Sequence, residues 1–216
     1  MSYIPSVNIE HGISNDFQYI VTPNTKNVWG NIVSSFHDGI HSFTIIGTYG
    51  TGKSSFLAAL QRDLTKHTSV LVENHNVFSS RDFEFLNIVG DYASLSSLLA
   101  TKLGVAEYAT TDEVMAALSK RYEATKKANK FLFVVIDEFG KILEHAAANN
   151  PEQELYFLQK LAEYVNVSTR NIILLSTLHQ NFSSYSYKLT DAQRNEWTKV
   201  KGRFKEIVFV EPIEQL

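Results

Sequence analysis

Cysteine is missing from all 216 residues of the chain. That excludes disulfides, a thiolate metal centre and a nucleophilic thiol, and it suits a reducing compartment. Long apolar runs are missing as well: none approaches the roughly 18 residues that a membrane helix needs. The opening MSYIPSVNIEHG has neither the charged nor the apolar region of a secretory signal. Together these absences predict a cytoplasmic protein with no membrane partner. Charge of one sign is not in excess either. A formal net charge of −3 supplies no global attraction for nucleic acid, so such a partner, which the sequence leaves open, requires a local basic patch. Several catalytic signatures are lacking. There is no H-E-x-x-H; His37 and His41 straddle Asp38-Gly39 with no third ligand and read as a surface pair. There is no G-x-S-x-G elbow for a serine hydrolase. No repeat or low-complexity tract occurs, and the aromatics are spread along amphipathic stretches, as core packing requires.

What is present is apolar substance and one dense motif. With 44% hydrophobic residues the chain can bury a sizeable core and reads as a single domain, with a lead-in over residues 1–40 and a core over 41–216. Residues 42–58, SFTIIGTYGTGKSSFLA, run from an apolar strand into a glycine-rich turn and on into helical spacing. Gly47, Gly52, Lys53 and Ser54 fit G-x-x-x-x-G-K-[ST]. Glycines let the backbone wrap closely round a polyphosphate, with amides pointing inward and a helix N-terminus behind them. The expected nucleotide-binding set is Gly47, Thr48, Tyr49, Gly50, Thr51, Gly52, Lys53, Ser54 and Ser55. Lys53 is expected at the β- and γ-phosphates and the Ser54 hydroxyl on Mg²⁺.

The rest of the chain alternates. Residues 17–21 suggest a short edge strand and 27–36 a helix. Residues 54–66 read as a helix, 69–73 as a strand, and 82–103 as helical in two pieces divided near Gly90, because glycine weakens a helix interior. A helix over 112–128 can be capped by Thr110 or Thr111. Its late Lys120, Arg121, Lys126 and Lys127 suit a solvated helix C-terminus better than a nucleic-acid face. Residues 131–136, FLFVVI, are apolar throughout, as in a central parallel strand. Helices over 141–148 and 154–165, a strand over 172–175, a helix over 189–201 and a strand over 206–210 complete an α/β pattern. Such a pattern implies a mostly parallel five-stranded sheet with helices on both faces.

The 131–136 strand ends in Asp137 and Glu138. In a phosphate-loop protein a carboxylate at this post holds Mg²⁺, and a second one can polarise a water for attack on the γ-phosphate. Residues 137–140 also spell D-x-x-G, a GTPase pattern. No N-K-x-D guanine motif accompanies it, and no L-S-G-G-Q occurs, so ATP is favoured over GTP.

Four segments taken in order resemble an AAA+ ATPase core: GTYGTGKS at 47–54, FLFVVIDE at 131–138, IILLSTLHQ at 172–180 and GRFKEIVFVEP at 202–212. The resemblance implies a three-layer P-loop NTPase with strand order 5-1-4-3-2. It also implies a polar sensor of the γ-phosphate, for which Thr177 is nearest and His179 competes. Arg203, in an Arg-Phe pair before the last strand, is implied as an arginine finger acting on a neighbouring subunit's ATP, with Arg194 as the alternative. The family's helical lid is absent from this sequence. A longer protein with further domains is therefore expected, and the DEFGKILE segment also resembles ATPase modules of large bacterial multidomain proteins. The implied function is Mg²⁺-dependent ATP hydrolysis in a homo-oligomeric motor or remodeller. The rivals are a slow nucleotide-dependent signalling switch and a small-molecule or nucleotide kinase.

Overall fold

An apolar run with no polar face is stable only as an inner strand covered on both sides. In the computed structural model, which describes residues 7–10, 17–72, 78 and 82–210, the run at 131–136 lies within β3 (Lys130–Asp137) and is buried along its length. Around it lie β1 (Ser42–Ile46), β2 (Asp82–Val89), β4 (Ile172–Leu178) and β5 (Lys205–Val208). All pair in parallel, in the order β2-β3-β4-β1-β5. This is the implied order 5-1-4-3-2, seen from the opposite edge.

Strand periodicity sorts the side chains into two cores. Phe131, Phe133 and Val135 point to one face with Phe43 and Ile45, against α1 (Pro23–His37) and α2 (Lys53–Lys66). Leu132, Val134 and Ile136 point to the other. There they meet α3 (Leu95–Leu103), α4 (Thr111–Lys127), α5 (Phe139–Ala148), α6 (Pro151–Val165) and α7 (Asp191–Lys201). The lead-in helix α1 belongs to the first of these cores through Val28, Trp29 and Ile32. Thr110, of the two candidates, caps α4, its hydroxyl accepting from the Glu113 amide. No helix among the described residues is long and apolar enough to cross a membrane.

Three local expectations fail. Residues 17–21 form no strand; Arg62 of α2 reaches over the Phe17 ring, 5.3 Å from its centroid, and donates to the Phe17 carbonyl. Residues 69–72 form none either, and 73 lies outside the described residues. The second strand is instead 82–89, which had helical spacing. Its Phe83 joins one core while Leu86 and Ile88 join the other, a period of two that a short apolar run does not distinguish from a helical one. Only the helical piece after Gly90 survives, as α3. His41 is also no surface residue: it is 1% exposed, its ring 4.3 Å from that of Phe36. No group of three or more metal-ligating side chains occurs among the described residues.

Asp63 explains why 69–72 does not pair. Fully buried on α2, its carboxylate accepts the amides of Leu71 and Val72 and the Thr68 hydroxyl, so the N–H groups that a ladder would use are already satisfied. Asp63→Ala would strand two buried amides, and at about 1–3 kcal/mol for each unsatisfied group it should destabilise the protein by roughly 2–6 kcal/mol. Urea denaturation checks this; an unchanged midpoint would show that the carboxylate does not hold this connection.

Candidate active site

The loop between β1 and α2 is shaped by its glycines. Gly47 donates to the Leu178 carbonyl (3.1 Å), and a Cβ placed on it would lie 2.5 Å from the Phe209 carbonyl oxygen. Gly52, the residue before α2, has φ +88°, a left-handed conformation that costs a side-chain-bearing residue about 1–2 kcal/mol. The first turn of α2 holds no acidic residue, and no side chain caps it. Its free amides and positive dipole end therefore face the loop, an arrangement that favours an anion.

Lys53 opens this helix with its ammonium folded inward, only 6% exposed. Nζ donates to the carbonyls of Gly47 (2.6 Å) and Thr48 (2.8 Å) and lies 3.4 Å from Nδ1 of His179. An ammonium can only donate, so Nδ1 acts as the acceptor. Burial pushes the Lys53 pKa below its ordinary value, and the carboxylates of Asp137 and Glu138 oppose that fall. Burial likewise lowers the His179 pKa, helped by the nearby Lys53 charge and opposed by the same two carboxylates. The His179 ring stacks on Tyr49 of the loop, centroids 3.5 Å apart and planes 19° from parallel.

β3 delivers the acids. Asp137 is 4% exposed, and its Oδ1 accepts the Thr177 hydroxyl (2.6 Å) and the Glu138 amide (3.1 Å). Glu138 adopts φ 54°, ψ 37°, an unusual left-handed conformation for a residue with a side chain, and its carboxylate pairs with Lys141 one turn along α5. Gly90, just past β2, donates its amide to the Asp137 carbonyl (2.7 Å).

These groups border one cleft of about 360 Å³, lined by Tyr49, Gly50, Gly52, Lys53, Ser54, Ser55, Asp137, Glu138 and His179. The strands thus bring together the loop at 47–52 and the acids at 137 and 138, which are far apart in sequence. Of the expected residues, Gly47, Thr48 and Thr51 make hydrogen bonds within the loop and do not line the cleft, and two others lie elsewhere. Thr177, 1% exposed, turns its hydroxyl to Asp137 and does not line the cleft; His179 does. Arg203 sits beside the start of β5, and Lys205 pairs with Phe43, so it lies toward the sheet end opposite the loop. It donates to Glu163 (2.6 and 3.1 Å) and to the Lys199 carbonyl (2.7 Å). Arg203 in turn lowers the pKa of Glu163, with help from Gln159. The Arg194 side chain pairs with Asp191 three positions earlier, both exposed.

Sequence reasoning missed Val7, Asn8 and Val89, which also line the cleft, and the part played by Gly90. An isolated glycine directly after an apolar run was the available signal, since it marks close backbone approach as well as a weakened helix.

The donor set suits a magnesium–polyphosphate. A buried ammonium and a glycine-shaped turn offer donors of the kind a polyphosphate takes, and the Ser54 hydroxyl and the Asp137 carboxylate offer oxygens of the kind a hard divalent cation takes.

No protein-family model and no curated protein matches the sequence. Solved structures do match. The Aeropyrum pernix ORC2 protein, in ADPNP–ADP complexes, is 14% identical with a TM-score of 0.59; the alignment covers 91% of this chain and 50% of that one. The Aeropyrum pernix ORC1 protein in complex with DNA is 15% identical with a TM-score of 0.52, covering 88% and 45%. This chain spans about half the length of each. At such identities the likeness is one of fold alone, a parallel five-stranded sheet with helices on both faces.

Proposed function

With that fold as the premise, we propose that the protein binds ATP with Mg²⁺ at the β1–α2 loop and hydrolyses it. The observation that carries this reading is the burial of Lys53 and Asp137, opposite charges at 6% and 4% exposure, on the walls of one glycine-framed cleft. Buried charges are costly and are kept where a ligand or partner uses them. The nucleotide seen in the ORC2 complexes supports the same reading.

The residues divide the work. Amides from Gly47 to Ser55 wrap the phosphates, and Lys53 leaves its loop carbonyls for the β- and γ-oxygens. Ser54 and Asp137 would hold the cation, which when bound would neutralise charge on the phosphates. Glu138 orients and deprotonates the attacking water. His179, ahead of Thr177, faces the γ-phosphate, because its ring lines the cleft beside Lys53. Arg203 releases Glu163 and completes the site of a neighbouring copy, so that turnover is tied to assembly in a motor or remodeller.

A slow signalling switch is the second reading. The pairing of Glu138 with Lys141 favours it, since a carboxylate engaged by an ammonium must leave that partner before it can reach a water. Phosphate release from Mg-ATP, measured per protomer against protein concentration, separates the two. Hydrolysis should be sustained, rise with concentration, and lose that rise in Arg203→Ala. Nucleotide carried through purification with no sustained turnover would establish the switch instead, and no response to ATP at all would end both readings.

A further inference from the structure

Thr177 offers a site role different from sensing. We propose that it is a positioning residue, clamping the Asp137–Glu138 peptide from the β4 side so that both acids hold the geometry the reaction needs. This rests on the ATPase reading of the cleft but is tested apart from it.

A hydroxyl has one proton to give. Thr177 gives it to Oδ1 of Asp137 (2.6 Å), and the Thr177 hydroxyl oxygen itself accepts the amide of Glu138 (3.0 Å). Both capacities are therefore spent inside the protein, at a residue that is 1% exposed. From the other side, Gly90 donates to the Asp137 carbonyl (2.7 Å), and a Cβ at Gly90 would lie 2.2 Å from the Glu138 carbonyl oxygen. The peptide is thus gripped between the tip of β4 and the end of β2. A grip of this kind accounts for the left-handed Glu138, a conformation that a side-chain-bearing residue keeps only when its surroundings over-determine it. It also assigns the Asp137 oxygens: Oδ1 is occupied by Thr177 and the Glu138 amide, and among the described residues Oδ2 has no such bond, at a residue that lines the cleft. Hydrogen bonds of this kind orient a carboxylate that ligates a cation.

The test compares Thr177→Val, which keeps the shape and removes the hydroxyl, with Thr177→Ser, which restores it. Two readouts apply. In steady-state hydrolysis, Thr177→Val should lower kcat about 10- to 100-fold with the KM for ATP within about threefold of the parent, and Thr177→Ser should recover most of kcat. In the protein without nucleotide, hydrogen exchange at the Glu138 amide should accelerate in Thr177→Val and return to parental protection in Thr177→Ser. Parental kcat in Thr177→Val, or a Thr177→Ser variant as defective as the valine, would overturn the clamp. If the parent itself does not hydrolyse ATP, the ATPase reading falls, and exchange still decides: unaltered Glu138 protection in Thr177→Val overturns the clamp, whereas accelerated exchange upholds it.

Discussion

Glu138→Gln is expected to bind Mg-ATP about as tightly as the parent and to lose turnover by about 10²- to 10⁴-fold, the range that a positioned general base contributes. The substitution keeps the length of the side chain and its place before α5, and it leaves the left-handed backbone held by Thr177 and Gly90. What it removes is the ability to take a proton from water. Two side effects are small by comparison. Lys141 loses an exposed partner, a surface pair worth no more than about 1 kcal/mol. Lys53 loses one of two carboxylates that support its charge, but the buried Asp137 remains. Single-turnover phosphate release at saturating ATP, beside nucleotide binding by titration calorimetry, separates binding from chemistry. Hydrolysis within about threefold of the parent would remove Glu138 from the role of base.

Lys53→Met should do the reverse and abolish tight nucleotide binding. Among the described residues the ammonium is the one buried cation on the cleft wall, and charge-assisted hydrogen bonds contribute roughly 1.5–3 kcal/mol each. Losing one or two of them lowers affinity by about 10- to 10⁴-fold. Folding should not suffer in parallel. Because burial depresses the Lys53 pKa, the ammonium is less favourable in the folded chain than in the unfolded one. That penalty is full below the folded-state pKa and fades as pH rises through it towards the ordinary lysine value. Methionine, carrying no charge, escapes it, so at neutral pH the variant should melt at or above the temperature of the nucleotide-free parent. Adding Mg-ATP should raise the parent's melting temperature through ligand linkage and leave that of Lys53→Met unmoved. A variant that melts far below the parent would mean that the bonds from Nζ to the Gly47 and Thr48 carbonyls are structural first.

Much of the site is legible in the chain because it is local. The run at 47–54 needs glycines at the turns and a lysine at the helix start, and an ordered string of residues states this by itself. The strands at 131–136 and 172–175 are equally plain, since a segment apolar on both faces has few places to go. Asp137 and Glu138 follow from where such a strand stops.

The tertiary structure decided what depends on distant partners. Residues 82–89 and 69–72 compete for the edge of β3, and nothing within either segment settles the contest. It is settled by Asp63, which satisfies the amides of 71 and 72, and by an eight-residue register that pairs Asp82 to Val89 with Lys130 to Asp137. The choice between Thr177 and His179 is of the same kind. Two residues apart on one strand tip, they differ only in what lies opposite: the Asp137 carboxylate for one, the loop lysine and Tyr49 for the other. A sequence states which groups the chain carries and the period at which they recur. Which hydrogen bond each group spends, and with what far-off partner, is fixed only when the strands align.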